Sequence, residues 1–277
     1  MKNDSQAGIQ TSRWWSDRRL LSVVGLLAVS IGAFLLAPWS LQDKSLAALH
    51  GLCAQQPGHS FWFGDARLPF DARMTGIYGG FLIVGIYLLS RGRLYRSGPP
   101  PVSVLITAAV FVAIMGVDGV NSTLNDFGMP YVYEPSNHLR YFTGAMTGTS
   151  LALFIWMIAG GVLWSPQVAI DKPIMRSWKE FLPIATLVTM FWALLQMQVA
   201  FLFAPIAVFL VISAVIVVSS IALVALRLAT GGFQKALRPL DLSRSAVVAI
   251  LIAYAVMSSI SGARFMLESM ATVQAGG

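Results

Sequence analysis

The sequence predicts an all-α fold: a polytopic transmembrane helix bundle of about seven spans, with the N-terminus in the cytoplasm. Three observations carry this. Hydrophobic residues make up 56% of the 277 and charged residues 11%, where a soluble domain carries roughly 25% charged residues. The mean hydropathy is +0.71 over 29.9 kDa. A globule of that size still exposes much of its surface, so the surplus apolar area needs lipid. Uncharged runs also recur at about the 20-residue length of a bilayer crossing, with basic residues alternating between the segments that join them.

The first run extends from Leu20 to Gln42, after Arg18 and Arg19. Its apolar part, Leu20 to Trp39, is too long for the core of a secretion signal, and no small-x-small cleavage site follows it cleanly. It reads as the first span. The second span is Met74 to Ser90, closed by Arg91. The third is about Val102 to Val117, after Pro99-Pro100-Pro101. The fourth is about Tyr141 to Trp164. The next uncharged stretch, Phe181 to Leu226, would extend about 69 Å as one helix, roughly twice the membrane. It must therefore fold as a hairpin, with Gln196, Gln198 and Pro205 marking the turn. The fifth span lies near Phe181–Met197 and the sixth near Ala204–Leu226. The last run, Ser245 to Ala263, is the seventh. Helix is the default for each, because an isolated strand cannot satisfy its backbone in lipid.

Placing the N-terminus inside puts fourteen of the lysines and arginines in inner segments. These are Lys2, Arg13, Arg18 and Arg19, then Arg91, Arg93 and Arg96, then Lys172, Arg176 and Lys179, then Arg227, Lys235, Arg238 and Arg244. Five remain outside: Lys44, Arg67, Arg73, Arg140 and Arg264. That asymmetry is the positive-inside pattern of a multi-pass membrane protein. It also accounts for the net charge of +7, so no nucleic-acid partner is implied; a phosphate-backbone binder needs a continuous basic face. Trp14, Trp15, Trp39, Trp164 and Trp178 fall near span ends, where amphipathic rings anchor. Three sections follow: a basic N-terminus (1–19), a four-span half rich in polar motifs (20–164) and a three-span apolar half (165–277).

Two outer segments of the four-span half are unusually polar. Ser40 to Arg73 holds His50, Cys53, Gln55, Gln56, His59, Asp65, Arg67 and Asp71. Asp118 to Arg140 holds Asn121, Asn125, Asp126, Glu134, Asn137 and His138. All three histidines and the single cysteine of the chain lie here. Arg73, Asp118 and Arg140 stand where loop meets hydrocarbon, and ionisable groups at that depth are costly and usually paired. Asp118 is expected to pair with Arg73 or Arg140. Gly76 and Gly80, and Gly144 and Gly148, put small residues four apart at the start of spans two and four, which permits close helix approach. Such a crossing would set Arg73 and Arg140 side by side, where they repel unless an anion or a carboxylate intervenes. Arginine offers the planar fork that phosphate and carboxylate favour. The candidate ligand-binding residues are Arg73, Tyr78, Asp118, Asn121, Asn137, Arg140 and Thr143.

Other chemistries are weaker. His50, Cys53, His59 and Asp71 have donors suited to a metal, but no second tight pair supports His50-x-x-Cys53, and no metal is assigned. A nucleophilic Cys53 would need an activating neighbour such as His50. A lone cysteine excludes an intramolecular disulfide and a multi-cysteine cluster. No catalytic residue and no cofactor can be assigned; an enzyme acting on a lipid would use Asp118 or His138 as acid and base. The partners expected are the lipid bilayer, an anionic lipid or small anion, and other membrane proteins. The rival readings are a transporter for a small polar solute, with the same three residues lining a path, and a structural subunit whose ion pairs serve packing alone.

The stretches Leu52-Cys53-Ala54-Gln55-Gln56-Pro57-Gly58-His59-Ser60-Phe61 and Leu68-Pro69-Phe70-Asp71-Ala72-Arg73-Met74-Thr75-Gly76-Ile77-Tyr78 resemble a bacterial membrane family catalogued as domain of unknown function 2085. The family's pattern is Cys-His-Gln-x-Pro-x-Arg-Ser-Phe, then Leu-Pro-Val-Cys-Ala-Arg-Cys-Thr-Gly-Ile-Tyr. An Asp-Gly and an Asn-x-x-Arg-x-x-Thr-Gly follow, here Asp118-Gly119 and Asn137 to Gly144. The resemblance covers about His50 to Gly148. This sequence departs from it at the family's first His (Ala54), at its two later cysteines (Asp71 and Met74) and at one Arg (His59). The arginines, Asp118, Asn137 and the glycines are kept. The resemblance therefore implies a membrane protein whose weight falls on the Arg/Asp site rather than on a Cys/His metal cluster.

Overall fold

The computed structural model describes residues 18–275. Lys2, Arg13, Trp14 and Trp15 lie outside the described residues. Eight helices follow in order: α1 (Arg18–Leu36), α2 (Leu41–Leu49), α3 (Ala72–Ser90), α4 (Val102–Asp126), α5 (Asn137–Leu163), α6 (Phe181–Gln196), α7 (Phe203–Ala229) and α8 (Ser243–Ala275). Six of them, α3 to α8, are long and apolar enough to cross a membrane once the turn from Trp178 is counted with α6, and Leu21–Leu36 of α1 is a shorter apolar helix. The fold is a polytopic helical bundle.

The uncharged stretch after Phe181 does fold as a hairpin. α6 stops at Gln196, Gln198 takes a left-handed φ of +51°, and α7 starts at Phe203. Pro205 sits in the first turn of α7, where its missing N–H costs no hydrogen bond. Two spans run longer than their charge-free windows. α4 continues past Val117 to Asp126, because Asp118, Asn121 and Ser122 turn inward and are buried. α8 continues past Ala263, because Arg264 does not end the helix. Its guanidinium donates to the carbonyl oxygens of His50, Cys53 and Ala54, tying α8 to the turn after α2.

The seam between α3 and α5 organises the bundle. The two helices run parallel, with Arg73 opposite Gly144 and Ile77 opposite Gly148. A Cβ on Gly144 would stand 2.1 Å from the Arg73 carbonyl oxygen, and one on Gly148 2.1 Å from that of Ile77. Gly76 meets the Tyr141 carbonyl at 2.2 Å in the same sense. Backbone therefore rests on backbone, as small residues in membrane helices allow. α4 packs on the side of α5, and α7 on both α3 and α5.

The end of the bundle where α3 and α5 begin is closed by short strands that hydropathy does not reveal. β1 (Ser60–Phe63) pairs antiparallel with β2 (Ala66–Asp71). Their turn starts at Gly64, whose φ of +63° suits a residue without a side chain. Phe61 and Phe63 point into the core and Trp62 outward, the alternation a half-buried strand requires. The opposite end carries Arg91, Arg93 and Arg96. There β3 (Arg96–Gly98) runs parallel to β4 (Ile170–Pro173), joining two connecting segments.

Candidate functional site

Arg73 is the second residue of α3, and Asp71 fixes its start: Asp71 Oδ1 accepts from the Met74 N–H at 2.8 Å. From there Arg73 reaches α4. Its Nη2 lies 2.7 Å from Asp118 Oδ2, 3.3 Å from the Asp118 carbonyl and 3.0 Å from Ser122 Oγ. Asp118 is 1% exposed. Its other oxygen, Oδ1, accepts from the Tyr133 hydroxyl at 3.0 Å. Thr143 Oγ1 of α5 stands 3.1 Å from Asp118 Oδ2, with its single proton shared among that oxygen and the carbonyls of Leu139 and Arg140. Three helices and one loop thus converge on one buried carboxylate.

That loop, between α4 and α5, turns back along α4. Asn121 holds it there. Its Oδ1 accepts from the N–H groups of Val132 and Tyr133, at 2.8 and 3.3 Å, and its Nδ2 donates to the Tyr133 carbonyl at 2.8 Å. Irregular backbone near the hydrocarbon is tolerated only when protein groups satisfy it, and one amide here satisfies three backbone groups. Next to Asp118 the Tyr133 hydroxyl holds its proton above the ordinary range, through burial first and then through its bond to the carboxylate.

Arg140 differs from Arg73. It is only 6% exposed, yet no carboxylate of the described residues lies within 4.0 Å of it. Its one side-chain hydrogen bond is from Nη1 to Asn137 Oδ1 at 3.1 Å. Asn137 in turn donates to the Gly58 carbonyl at 3.1 Å, which anchors the start of α5 to the segment before β1. His59, in that segment, faces Asp126 at 3.5 Å. Burial, and then the nearby Arg140 cation, lower the His59 pKa below its usual value against the pull of Asp126.

Six of the seven residues singled out from the sequence therefore gather where the hairpin covers the bundle, with Asp118 paired to Arg73. Asn121 and Asn137 act on backbone there. Tyr78 stands apart. It stacks on Phe70, with ring centroids 4.6 Å apart, and its backbone carbonyl receives a hydrogen bond from Ser213 of α7. His138 also turns away, toward Trp192 of α6. Sequence reasoning did not single out Ser122 or Tyr133, and it placed Asp126 and His59 in the two polar segments without assigning them to the cluster. Ser122 was within reach, since it lies four residues after Asp118 on one helix face. Tyr133 was not, because a loop has no period to reveal its direction.

The four residues weighed for a metal do not converge. His50 bonds Gln55 and Glu268, both at 3.0 Å, and stacks on Phe265. His59 faces Asp126. Only Cys53 and Asp71 meet, the thiol donating to Asp71 Oδ2 at 3.2 Å. Among the described residues no group of three or more His, Cys, Asp or Glu side chains is placed to hold a metal ion. Burial, and then the Asp71 charge, push the Cys53 thiol up to about 12. At neutral pH it is a packed thiol, not the thiolate that nucleophilic chemistry needs.

Residues 53–154 match the model of a family described as "Predicted membrane protein (DUF2085)". The matched stretch holds the hairpin, α3, α4 and the first two-thirds of α5, which is every element that builds the cluster. It bears out the resemblance drawn from the motifs. The long apolar helices and the family description together make the chain an integral membrane protein. No curated protein and no solved structure matches it.

Proposed function

We propose that this membrane protein binds a phosphate-bearing anion at the hairpin end of the bundle, with Arg140 as the receiving cation and Arg73 beside it. On the orientation the basic residues predict, that end faces outward from a bacterial cytoplasmic membrane. The observation that carries the reading is the asymmetry of the two guanidinium groups. Arg73 has a carboxylate, whereas Arg140 is nearly as buried as Asp118 and has none within ion-pair distance. A buried cation is costly unless it is paired, and a guanidinium with free N–H groups suits a phosphate oxygen. Asp118 orients Arg73, and Asn137 orients Arg140. The phosphate can belong to a lipid headgroup or to a small soluble anion.

A second reading has an observation of its own. The Asp118 carboxylate is fully engaged by Arg73, Tyr133 and Thr143, which suits an ion pair that locks the bundle of a structural subunit. Arg140 separates the two readings. Native mass spectrometry of the detergent-purified protein, titrated with phosphatidylglycerol, phosphatidylcholine or inorganic phosphate, is the test. The wild type should retain the anionic lipid about tenfold better than the zwitterionic one, and Arg140→Gln should lose that preference. Retention of inorganic phosphate alone would assign the site to a soluble anion. An unchanged lipid preference and phosphate affinity in Arg140→Gln would leave the packing reading.

A further inference from the structure

The edge of the cluster holds a titratable ring that neither arginine uses. His59 ends the short turn before β1, and its Nε2 stands 3.5 Å from Asp126 Oδ1 at the end of α4. The preceding residue ties it to Arg140. The Gly58 carbonyl accepts from Asn137 Nδ2, and Asn137 Oδ1 accepts from Arg140 Nη1, at 3.1 Å each. The His59 side chain is 23% exposed, so water can carry a proton to it.

The charges around this ring set a condition on anion binding. Arg140 acts on His59 from α5, Arg73 from α3, Asp126 from α4 and Asp71 from the end of β2. Around Arg140 the same groups recur, with Asp118 of α4 added. Two guanidinium groups thus share the cluster with three carboxylates. While His59 is neutral, the formal charge there is negative by one unit. An oxyanion brought to Arg140 meets that excess, and like charges repel more strongly near protein than in water. A proton on His59 removes the excess. Histidine is also the side chain whose ordinary titration spans neutral pH. Burial and the Arg140 cation favour its neutral form. An anion beside Arg140 cancels the second of these and draws a proton to the ring.

We infer that the cluster takes up its oxyanion together with a proton, and that His59 carries the proton. The inference rests on the anion-binding reading above and adds the ion that binding brings with it. Imidazolium and oxyanion stabilise each other, so each raises the affinity for the other by the same factor. Acidification loads the site, and a return to neutral pH releases the anion.

The test needs probes whose own charge is constant. Sulfate and the phosphodiester of phosphatidylglycerol both qualify across the range in which histidine titrates, roughly pH 5.5 to 7.5. Sulfate binding to the detergent-purified protein is measured by calorimetry in two buffers of different ionisation enthalpy, which counts the protons taken up. Lipid retention is measured by native mass spectrometry at the two ends of the range. The wild type should take up at least about 0.3 proton per sulfate near pH 6. It should bind at least about fivefold more tightly at the acid end, the lower limit of ordinary coupling between sites. His59→Gln should take up no proton and bind equally at both ends. His59→Arg, whose charge is fixed, should bind at neutral pH as tightly as the wild type does in acid. A pH dependence seen with the lipid alone assigns the proton-linked anion to a headgroup, and one seen with sulfate alone assigns it to a soluble ion. Proton uptake in His59→Gln equal to that of wild type would overturn the inference while leaving the anion site standing, because the proton would then sit on a carboxylate. So would wild-type binding of both probes that ignores pH. Failure of the anion reading is distinct: there Arg140→Gln binds both probes as wild type does.

Discussion

Both ends of the bundle bury an arginine, and they treat it differently. At the basic end Arg93 is 2% exposed. Its Nη1 forms an ion pair with Glu180 and donates to the Ile174 carbonyl at 2.6 Å. Its own backbone carbonyl takes the Trp156 indole N–H at 3.1 Å. The charge is neutralised by the protein, and the group serves to join α3, α5 and the segment before α6. At the hairpin end Arg140 is buried to a similar degree and meets one neutral amide oxygen. Arg93 is answered from within and serves as a structural tie; Arg140, with Asp126, Asp118 and Asp71 near it but none within 4.0 Å, is the cation proposed to take a ligand. The comparison teaches that burial alone does not mark a binding residue. A missing ion-pair partner does not mark one by itself either, since Arg96 at the basic end is also buried and donates to the Pro173 carbonyl alone; Arg140 instead meets a side-chain amide and has a second arginine, Arg73, near it.

The largest expected effect attacks the seam that both ends share. Gly144→Leu puts a side chain into the Arg73 carbonyl, where backbone cannot retreat. Overpacking costs about 1–3 kcal/mol in an ordinary core and sometimes more, and here it falls at or above the upper figure. The variant should lose its monodisperse peak in size-exclusion chromatography, while Gly161→Ala, whose Cβ meets nothing within 4 Å, should keep it.

Next come the two acids. Glu180→Ala and Asp118→Ala each strip a guanidinium of its carboxylate; the loss is about 3–5 kcal/mol where both charges are buried and smaller here, because Glu180 and Arg73 are partly exposed. Thermal unfolding in detergent should show both variants well below wild type. Arg140→Gln should fall by less than either, because it removes a cation that has no carboxylate to strand. A drop for Arg140→Gln as large as that for Asp118→Ala would erase the contrast between the ends.

The smallest effect is in pH. The His59 pKa is held below its usual value, so the folded protein favours the neutral ring. Its contribution to stability is then complete above the ordinary histidine value of about 6.5 and is lost as the pH falls below it. His59→Gln should flatten the decline in unfolding temperature between neutral and mildly acid pH. An identical decline in variant and wild type would remove His59 from the account.

Much of this was legible in the residues. Charge-free runs located the long helices, because lipid tolerates few charges. The glycine spacing foretold the contact of α3 with α5, and the charges at the span ends foretold the pairing of Asp118. What was hidden follows a different logic. Hydropathy windows end at the first charge, so they stopped α4 at Val117, although an inward-facing Asp118 with partners does not end a helix. The β1–β2 hairpin is too short and too polar at its margins to stand out beside seven apolar runs. That Asp118 would choose Arg73 over Arg140 depends on the height at which each helix starts. Gly144, not Asn137, lies level with Arg73, so Arg140 sits a turn higher than its sequence neighbourhood suggests.

The central claim is that Arg140 is a cation awaiting an anion. The most direct measurement is the unfolding temperature of wild type and Arg140→Gln in detergent as inorganic phosphate replaces chloride at constant ionic strength. With a dissociation constant near 1 mM, about 10 mM phosphate stabilises the folded state by roughly 1.4 kcal/mol, a rise of about 3–5 °C for a chain of this size. The account predicts that rise in the wild type and none in the variant. Equal curves for the two proteins would contradict it.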